Sequence, residues 1–301
     1  MLPAWTPSSP GFGATFSSNP EGIGDPGRVG RDGSLSLGFE RRGSRTVLSR
    51  CRFTLPLQVQ RAVSLDDATS YLMLLNPTGG VLGGDFLSAR IHVGPGARAC
   101  LTTPSATRVY RALLRPAVQE THIVVAENAA LEFLPDHVIP HAGSSFRQSL
   151  RVDLSPGGRA ILFDSFAAGR IAHGERWMFR DFDSRTEIFV AGKPVFLNRA
   201  WIAPRDRVPA QFLGMEGFDY VATVILAAAD FAEWTSLLAA LQIALSRRSG
   251  VYAGVSLFAR DGCVVRFLAR TASDLVETNA ALWSVARPLL LGSPAFDLRK
   301  Y

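Results

Sequence analysis

The stretch Ile91-His92-Val93-Gly94-Pro95-Gly96-Ala97-Arg98-Ala99-Cys100-Leu101 decides the fold, because it predicts a strand, a tight turn and a second strand, and the pattern recurs. Three later segments repeat it, at residues 123–133, 150–163 and 187–197. When Ala99, Ala130 and Ala160 are aligned, the repeat is about 30 residues long, a length typical of stacked structural repeats. The pattern therefore predicts β layers stacked as a solenoid or helical wrap. A meander with coincidentally even turn spacing is the alternative.

The remaining patterns place this repeat in a mainly β chain. The folded part is expected to begin near Ser34, where apolar and small polar residues alternate as in a half-buried strand. Ser273 is the expected N-cap of a helix that Pro288 ends. Helices are expected at 232–245 and 273–287, and a hairpin is expected between them at 251–270. The predicted fold is a stacked or helical-wrap β-sheet with two α-helices near the C-terminus, in one domain over 34–301.

Composition limits the classes of partner. The 301 residues are 47% hydrophobic and carry a net charge of +6, almost all of it from arginine, because Lys193 and Lys300 are the only lysines. The arginines are scattered rather than clustered in a run, which favours acidic protein partners over nucleic acid. Residues 1–33 are rich in Gly, Pro and Ser and have no periodicity, so we expect a disordered tail there.

The sequence also predicts the compartment. No basic segment followed by an apolar run stands at the N-terminus, and the longest apolar stretch, 220–229, is too short to span a bilayer. The cysteines, Cys51, Cys100 and Cys263, are far apart and odd in number, which suits a reducing compartment. We therefore expect a soluble cytoplasmic protein without membrane contact.

A glycine-rich loop, Asn76-Pro77-Thr78-Gly79-Gly80-Val81-Leu82-Gly83-Gly84-Asp85, precedes the first repeat. It is not a phosphate-binding loop, because Asp85 stands where a lysine would be needed and a strand rather than a helix follows. The pattern predicts a tight turn that delivers Asp85 to a fixed place. The later segment 102–111 carries hydroxyls and two arginines, which suits either an anion site or a capped turn.

Few residues indicate catalysis or a resident metal. His137 and His141 have the spacing of a helical metal site, but Pro140 between them breaks the helix, so metal ligation is the weaker alternative. There is no nucleophile elbow of the G-x-S-x-G type and no cysteine beside an evident histidine partner. The sequence thus disfavours hydrolase chemistry and predicts no tightly bound cofactor.

The succession of motifs resembles one family. NPTGGVLGGD, LTTPSATRVYR, LEFLPDHVI, GRIAHGERWMF and a terminal LRKY occur in the order found in the urease accessory protein UreD (UreH) family, over roughly residues 34–301. This resemblance implies a mainly β, non-enzymatic maturation factor that binds apo-urease and pairs with UreF, which recruits the GTPase UreG. It also implies support for nickel insertion into the urease active site, and some members are thought to carry an internal passage for the metal.

The repeat register suggests where such a passage would run. If the repeats stack, small polar and acidic groups share a layer, and we expect transient nickel contacts at Asp85, Thr102, Thr103, Glu132, Asp164 and Glu175. The alternative is that Glu132 and Asp164 pair with Arg108, Arg111 or Arg170. Partner-binding or structural roles are expected for the remaining motif residues, Gly79, Gly80, Gly83, Gly84, Arg108, Tyr110, Arg111, Gly169, Arg170 and Gly174.

Two other functions stay open at this point. The first is a purely structural scaffold that bridges proteins and never touches metal. The second is an enzyme with an unrecognised acidic site around Asp85 and Glu132.

Overall fold

The computed structural model describes residues 31–64, 66, 68–204, 215, 217–298 and 300. The first strand begins at Asp32, two residues before the predicted start at Ser34. Residues 1–30 of the predicted tail lie outside the described residues.

The described residues are mainly in β-strands, with two α-helices near the C-terminal end. The strands are β1 (Asp32–Arg42), β2 (Arg45–Phe53), β3 (Gln58–Val59), β4 (Val63–Ser64), β5 (Thr69–Leu75), β6 (Phe86–Val93), β7 (Arg98–Thr102), β8 (Thr107–Val109), β9 (Ala117–Val125), β10 (Ala130–Leu134), β11 (Val138–Pro140), β12 (Ser145–Leu154), β13 (Arg159–Ala167), β14 (Gly169–Arg170), β15 (Glu175–Arg176), β16 (Asp181–Val190), β17 (Lys193–Ile202), β18 (Tyr220–Ala228), β19 (Val251–Leu257) and β20 (Gly262–Ala269). The helices are α1 (Trp234–Ser246) and α2 (Ala272–Leu291), and a 3-10 turn covers Ile171–His173.

These strands form two facing sheets that successive coils of the chain join. In the described part of the chain, one sheet has seven strands in the order β17-β16-β12-β9-β6-β1-β2. The other has eleven, with β19-β20-β18-β13-β10-β7-β5-β3 as its main path. Each of the units β6–β7, β9–β10 and β12–β13 starts in the first sheet, turns and continues in the second, and equivalent strands pair in parallel. The predicted stacked β wrap is therefore confirmed.

The fourth repeat, 187–197, departs from the pattern. Strands β16 and β17 pair with each other antiparallel, within one sheet. Only Ala191 and Gly192 separate them, and both have positive φ (48° and 74°), the backbone of a two-residue hairpin turn. This turn reverses the chain directly, whereas the first three repeats use four residues to cross to the other sheet.

The expected register was wrong by one residue. Ala99 pairs with Leu131, not Ala130, and Leu131 pairs with Ala160. The correct alignment of the repeats follows when residues are counted from the end of each four-residue turn. Alignment of the alanines gave the wrong one. Because side chains alternate between the two faces of a strand, a shift of one residue moves a side chain to the opposite face.

Among the described residues, three apolar clusters hold the sheets and helices together. One fills one end of the space between the sheets and includes Leu37, Phe39, Ile91, Ile123 and Val152. A second joins the outer face of the eleven-stranded sheet to α1 and α2, and a third, rich in phenylalanine, fills the other end of the inter-sheet space. Between these two ends, polar side chains such as Gln148, Asp164 and Ser184 join the apolar ones.

Helix α2 differs from its expected bounds. Its N-cap is Thr271, which forms a capping box with Asp274, not Ser273. Pro288 lies inside the helix rather than ending it, because burial of Leu290 and Leu291 extends the helix one more turn. The hairpin of β19 and β20 is confirmed. None of the helices in the described ranges is long and apolar enough to cross a membrane.

Candidate functional site

A cavity of about 220 Å³ occupies the middle of the inter-sheet space. On the seven-stranded sheet its polar lining forms a row that crosses the strands, because Gln119, Gln148 and Ser184 occupy paired positions on β9, β12 and β16. The lining continues past Ala89 on β6 to Leu35 on β1. With neighbouring strands about 4.8 Å apart, the five strands extend the cavity over roughly 19 Å along the stacking direction.

Asp164 on β13 projects into this cavity from the opposite sheet. Its carboxylate accepts hydrogen bonds from Gln148 Nε2 (3.1 Å) and Ser184 Oγ (3.2 Å), and Thr186 Oγ1 lies 3.5 Å away. Within the described ranges, no arginine, lysine or histidine forms an ion pair with it. Burial therefore raises the pKa of Asp164, and the three neutral donors oppose that rise.

Asp136 is a second carboxylate on the cavity wall. Its Oδ1 accepts from Lys300 Nζ at 2.9 Å, and its backbone N–H donates to Thr103 Oγ1 at 2.9 Å. Asp136 Oδ2 and Ser165 Oγ are buried and have no hydrogen-bond partner among the described residues, although both residues line the cavity. Buried polar atoms of this kind normally form hydrogen bonds with water or contact an ion. The cavity is therefore suited to hold water molecules or ions.

The structure places Glu132 away from the cavity, so the predicted shared layer with Asp164 was wrong. Glu132 projects from the opposite face of its sheet, towards α2, as the one-residue register shift requires. Its carboxylate accepts from Arg287 Nε (2.9 Å) and Trp283 Nε1 (2.6 Å). Burial raises the pKa of Glu132, and Arg287 opposes that rise. Neither Glu132 nor Asp164 pairs with Arg108, Arg111 or Arg170, as the alternative had proposed.

The two predicted threonines also separate. Thr103 lines the cavity, whereas Thr102 is fully buried and its Oγ1 donates to the Leu134 carbonyl at 2.6 Å. Thr102 therefore fastens β7 to β10 and does not contact the cavity.

Asp85 stabilises the glycine loop. Its two carboxylate oxygens accept the backbone N–H groups of Arg31 and Leu82, each at 2.8 Å. The glycines serve the same turn: Gly79 and Gly84 have positive φ, and a Cβ on Gly80 would lie 2.6 Å from the Tyr110 ring. A Cβ on Gly83 would meet Ala112 at 2.8 Å.

Glu175 likewise has a structural environment. Its carboxylate forms a bidentate ion pair with Arg170 and accepts the Ala142 N–H, and the bond to Arg170 lowers its pKa to about 2. The two residues belong to the small β14–β15 pair, in which Gly169 has φ 138° and leaves no room for a Cβ beside the Glu175 carbonyl. Gly174, with φ 72°, ends the 3-10 turn.

The predicted motif residues converge at a corner beside the cavity. Tyr110 Oη donates to the Gly79 carbonyl at 3.3 Å, and the Tyr110 ring meets His141 edge-on at 4.9 Å. The Arg111 side chain packs over Gly143, and Arg108 reaches the cavity lining. Burial lowers the pKa of His141, yet across the described residues no three His, Cys, Asp or Glu side chains form a metal-binding group.

Sequence reasoning missed most of the polar lining, namely Gln119, Thr121, Gln148, Ser184 and Thr186. A signal was present in β16, where Ser184 and Thr186 share their parity with buried Ile188 and Val190. A polar pair on the inward face of a strand indicates a polar interior.

Comparisons with known proteins agree over nearly the whole chain. The family model described as "UreD urease accessory protein" matches residues 31–300. Proteins named "Urease accessory protein UreD" from Deinococcus radiodurans and Herpetosiphon aurantiacus are 38% and 33% identical to the chain. These matches cover 91% and 87% of this chain and 96% and 93% of the relatives. A relative of the same name from Haloarcula marismortui is 31% identical over 91% of this chain and 92% of its own.

Replacing Glu132 with Gln should lower the free energy of unfolding by about 3 kcal/mol, because the buried Arg287 loses the more deeply buried of its charged partners Glu132 and Asp66. Urea denaturation followed by circular dichroism measures this. The control is Glu120→Gln on the exposed face of β9, which should change stability by less than about 0.5 kcal/mol. Equal stability of the two variants would contradict the assignment.

Replacing Asp164 with Asn should have the opposite effect at neutral pH. Because the folded pKa of Asp164 is raised, its contribution to stability falls as pH rises from the unfolded value, about 3.9, through the folded pKa, and stays low above it. Asp164→Asn removes this titration and should be more stable at pH 8 by on the order of 1 kcal/mol, with a smaller gain at pH 4. Thermal denaturation at both pH values measures the difference. A destabilised variant at pH 8 would show that the carboxylate is well compensated.

Proposed function

We propose that this chain, which belongs to the UreD family of urease accessory proteins, passes nickel through its inter-sheet cavity on the way to apo-urease. Family membership makes it a urease maturation factor rather than an enzyme. Nickel is cargo here, held transiently, and no tightly bound cofactor is proposed. The proposal assigns cavity contacts to Thr103 and Asp164 and leaves Asp85, Thr102, Glu132 and Glu175 with structural roles.

Asp164 is the observation that carries the proposal. A buried carboxylate is costly unless a cation or several strong donors compensate it, and folded proteins seldom keep one without a reason. Among the described residues Asp164 has only neutral hydrogen-bond partners, and it faces an elongated cavity. A divalent cation in the cavity would supply the missing positive charge.

The surroundings of Asp164 suit passage better than storage. Affinity for nickel rises with the number and softness of ligands, and imidazole or thiolate groups would hold it tightly. The lining combines many apolar side chains with hydroxyl and amide groups, and among its described residues Asp164 and Asp136 are the carboxylates. Lys300 already occupies one oxygen of Asp136, so a cation at that end competes with an ammonium group. Weak ligands that follow one another along the cavity would allow a nickel ion to leave each position and move to the next.

The partners we propose are those that the family implies. UreF would bind this chain directly, UreG would join through UreF as the GTPase, and the urease subunits would receive the nickel, all in the cytoplasm. A purely structural bridging role is the alternative that the experiment must separate from nickel passage.

The experiment is urease activation in cells that co-express the urease subunits, UreF, UreG and either the native chain or a variant. Asp164→Asn should lower the nickel content per urease active site several-fold, measured by mass spectrometry on purified urease, with a parallel loss of urease activity. Asp153→Asn is the matched control, because Asp153 lies on the outer face of the same fold and pairs with Arg151 and His122.

Complex assembly is measured in the same cells by affinity capture of the chain with UreF and urease. We expect equal capture for the native chain and both variants. Normal nickel content with Asp164→Asn would reject passage through the cavity and favour the bridging scaffold. Loss of capture would place the defect in assembly rather than in nickel transfer.

A further inference from the structure

At the second corner of the coils, three of four stacked loops present exposed apolar side chains. The loops that return the chain to the seven-stranded sheet stack in four layers, at 80–85, 111–116, 142–144 and 177–180. Backbone hydrogen bonds join neighbouring layers: Gly84 N–H donates to the Pro116 carbonyl (3.2 Å), Ala112 N–H to Gly143 (3.1 Å) and Gly143 N–H to Met178 (2.8 Å).

Three of these layers carry large apolar side chains that point to solvent, and we call them the corner ridge: Leu82, Leu113, Leu114 and Met178. Leu113 is 74% exposed and Leu114 88% exposed, values that leave almost the whole side chain in water. Single exposed leucines are common on protein surfaces, but Leu82, Leu113 and Leu114 lie on two loops that a backbone hydrogen bond joins, and such a group of exposed apolar side chains is typical of an interaction surface. Met178 lies two layers from Leu113 and Leu114, beyond the loop 142–144.

The backbone next to Met178 has an unusual conformation. Trp177 has φ 58°, a left-handed conformation that bulky residues rarely adopt. The side chain of its neighbour Met178 is 53% exposed and does not pack in the core. Trp177 itself packs against the phenylalanine-rich cluster, and its ring lies 5.8 Å from that of buried Phe179, so this conformation serves the core and is not evidence for a binding site.

Charge identifies the kind of partner. Three exposed arginines, which we call the arginine rim, lie close to Leu113 and Leu114 in the sequence: Arg111 and Arg115 on the same loop, and Arg108 on the preceding strand β8. None of them forms an ion pair with a described acidic residue, while the acidic groups near this corner, Glu175 and Asp181, are already paired with Arg170 and Arg180. Interfaces commonly combine an apolar centre with a charged rim, and arginine is enriched there.

We propose that the corner ridge and its arginine rim bind an acidic amphipathic segment of a partner protein. Apolar side chains of that segment would cover Leu113 and Leu114, and its carboxylates would pair with the arginine rim. The inference deepens the proposed function, because it rests on a maturation factor acting through partner proteins. It does not depend on what the cavity carries, and the test below contains no nickel.

The test uses the purified full-length chain and three fluorescein-labelled synthetic helical peptides of about 18 residues. One has a leucine face and a glutamate face, one has lysine in place of glutamate, and one has serine in place of leucine. Fluorescence anisotropy should show binding of the leucine–glutamate peptide, at least about tenfold weaker binding of both others, and weakening with added salt.

Variants then locate the site. Leu113→Ser with Leu114→Ser, and separately Arg111→Glu with Arg115→Glu, should each weaken binding of the leucine–glutamate peptide at least about tenfold. Leu197→Ser is the control, because Leu197 is 63% exposed on β17, outside the ridge. The proposal is overturned if that peptide does not bind, or if the control weakens binding as much as the ridge variants.

Sedimentation of the chain without peptide tests the other occupant, a second copy of this chain. We expect the same oligomeric state for the native chain and the Leu113→Ser, Leu114→Ser variant. A native dimer that this variant converts to a monomer would show that the ridge joins two copies, and would overturn the acidic partner.

Discussion

Parallel pairing of successive coils is the constraint on which the rest of the structure depends. Because side chains on a strand alternate with a period of two, the register of each coil decides which residues face the inter-sheet space and which face the helices. Ala99, Leu131 and Ala160 share one row and face the apolar core. Glu132, one position later, must therefore face α2, and Asp164, four positions after Ala160, must face inwards.

Because of this constraint, the buried carboxylates of Glu132 and Asp164 have different surroundings. Glu132 meets Arg287, which is 1% exposed and also pairs with Asp66, so its charge is compensated inside a helix-to-sheet joint. Asp164 meets amide and hydroxyl groups and an open cavity. The Glu132–Arg287 pair fixes the position of α2 on the sheet, whereas Asp164 has a carboxylate that can contact an ion in the cavity. Functional roles are therefore better inferred from incomplete compensation of a charge than from its burial alone.

Local sequence patterns could predict the strand–turn–strand unit, the mainly β class and the two helices, because alternation and turn residues act over a few positions. The glycine loop was also predicted as a tight turn around Asp85, as the hydrogen bonds to Arg31 and Leu82 show.

The cavity depended on information that no local pattern carries. Alignment by alanine identity missed the register, and the partner of Glu132 lies 155 residues away in the chain. The antiparallel pairing of β16 and β17 depends on a hairpin turn in which Ala191 has positive φ. Because positive φ is uncommon for alanine, the sequence contained no sign of it. Gln148 became visible as a cavity residue only after β9, β12 and β16 were placed side by side.

Passage of nickel through the inter-sheet cavity is tested most directly by obstructing the cavity without altering its carboxylates. Ala89 lines the cavity on β6, and Ala89→Phe would fill part of it, whereas Ser88→Phe places the same ring on the outer face of the same strand. The measurement is nickel per active site in urease purified from cells that express either variant with UreF and UreG. The account predicts that Ala89→Phe lowers the nickel content several-fold while Ser88→Phe and complex capture are unaffected. Normal nickel content with a folded Ala89→Phe chain would contradict it.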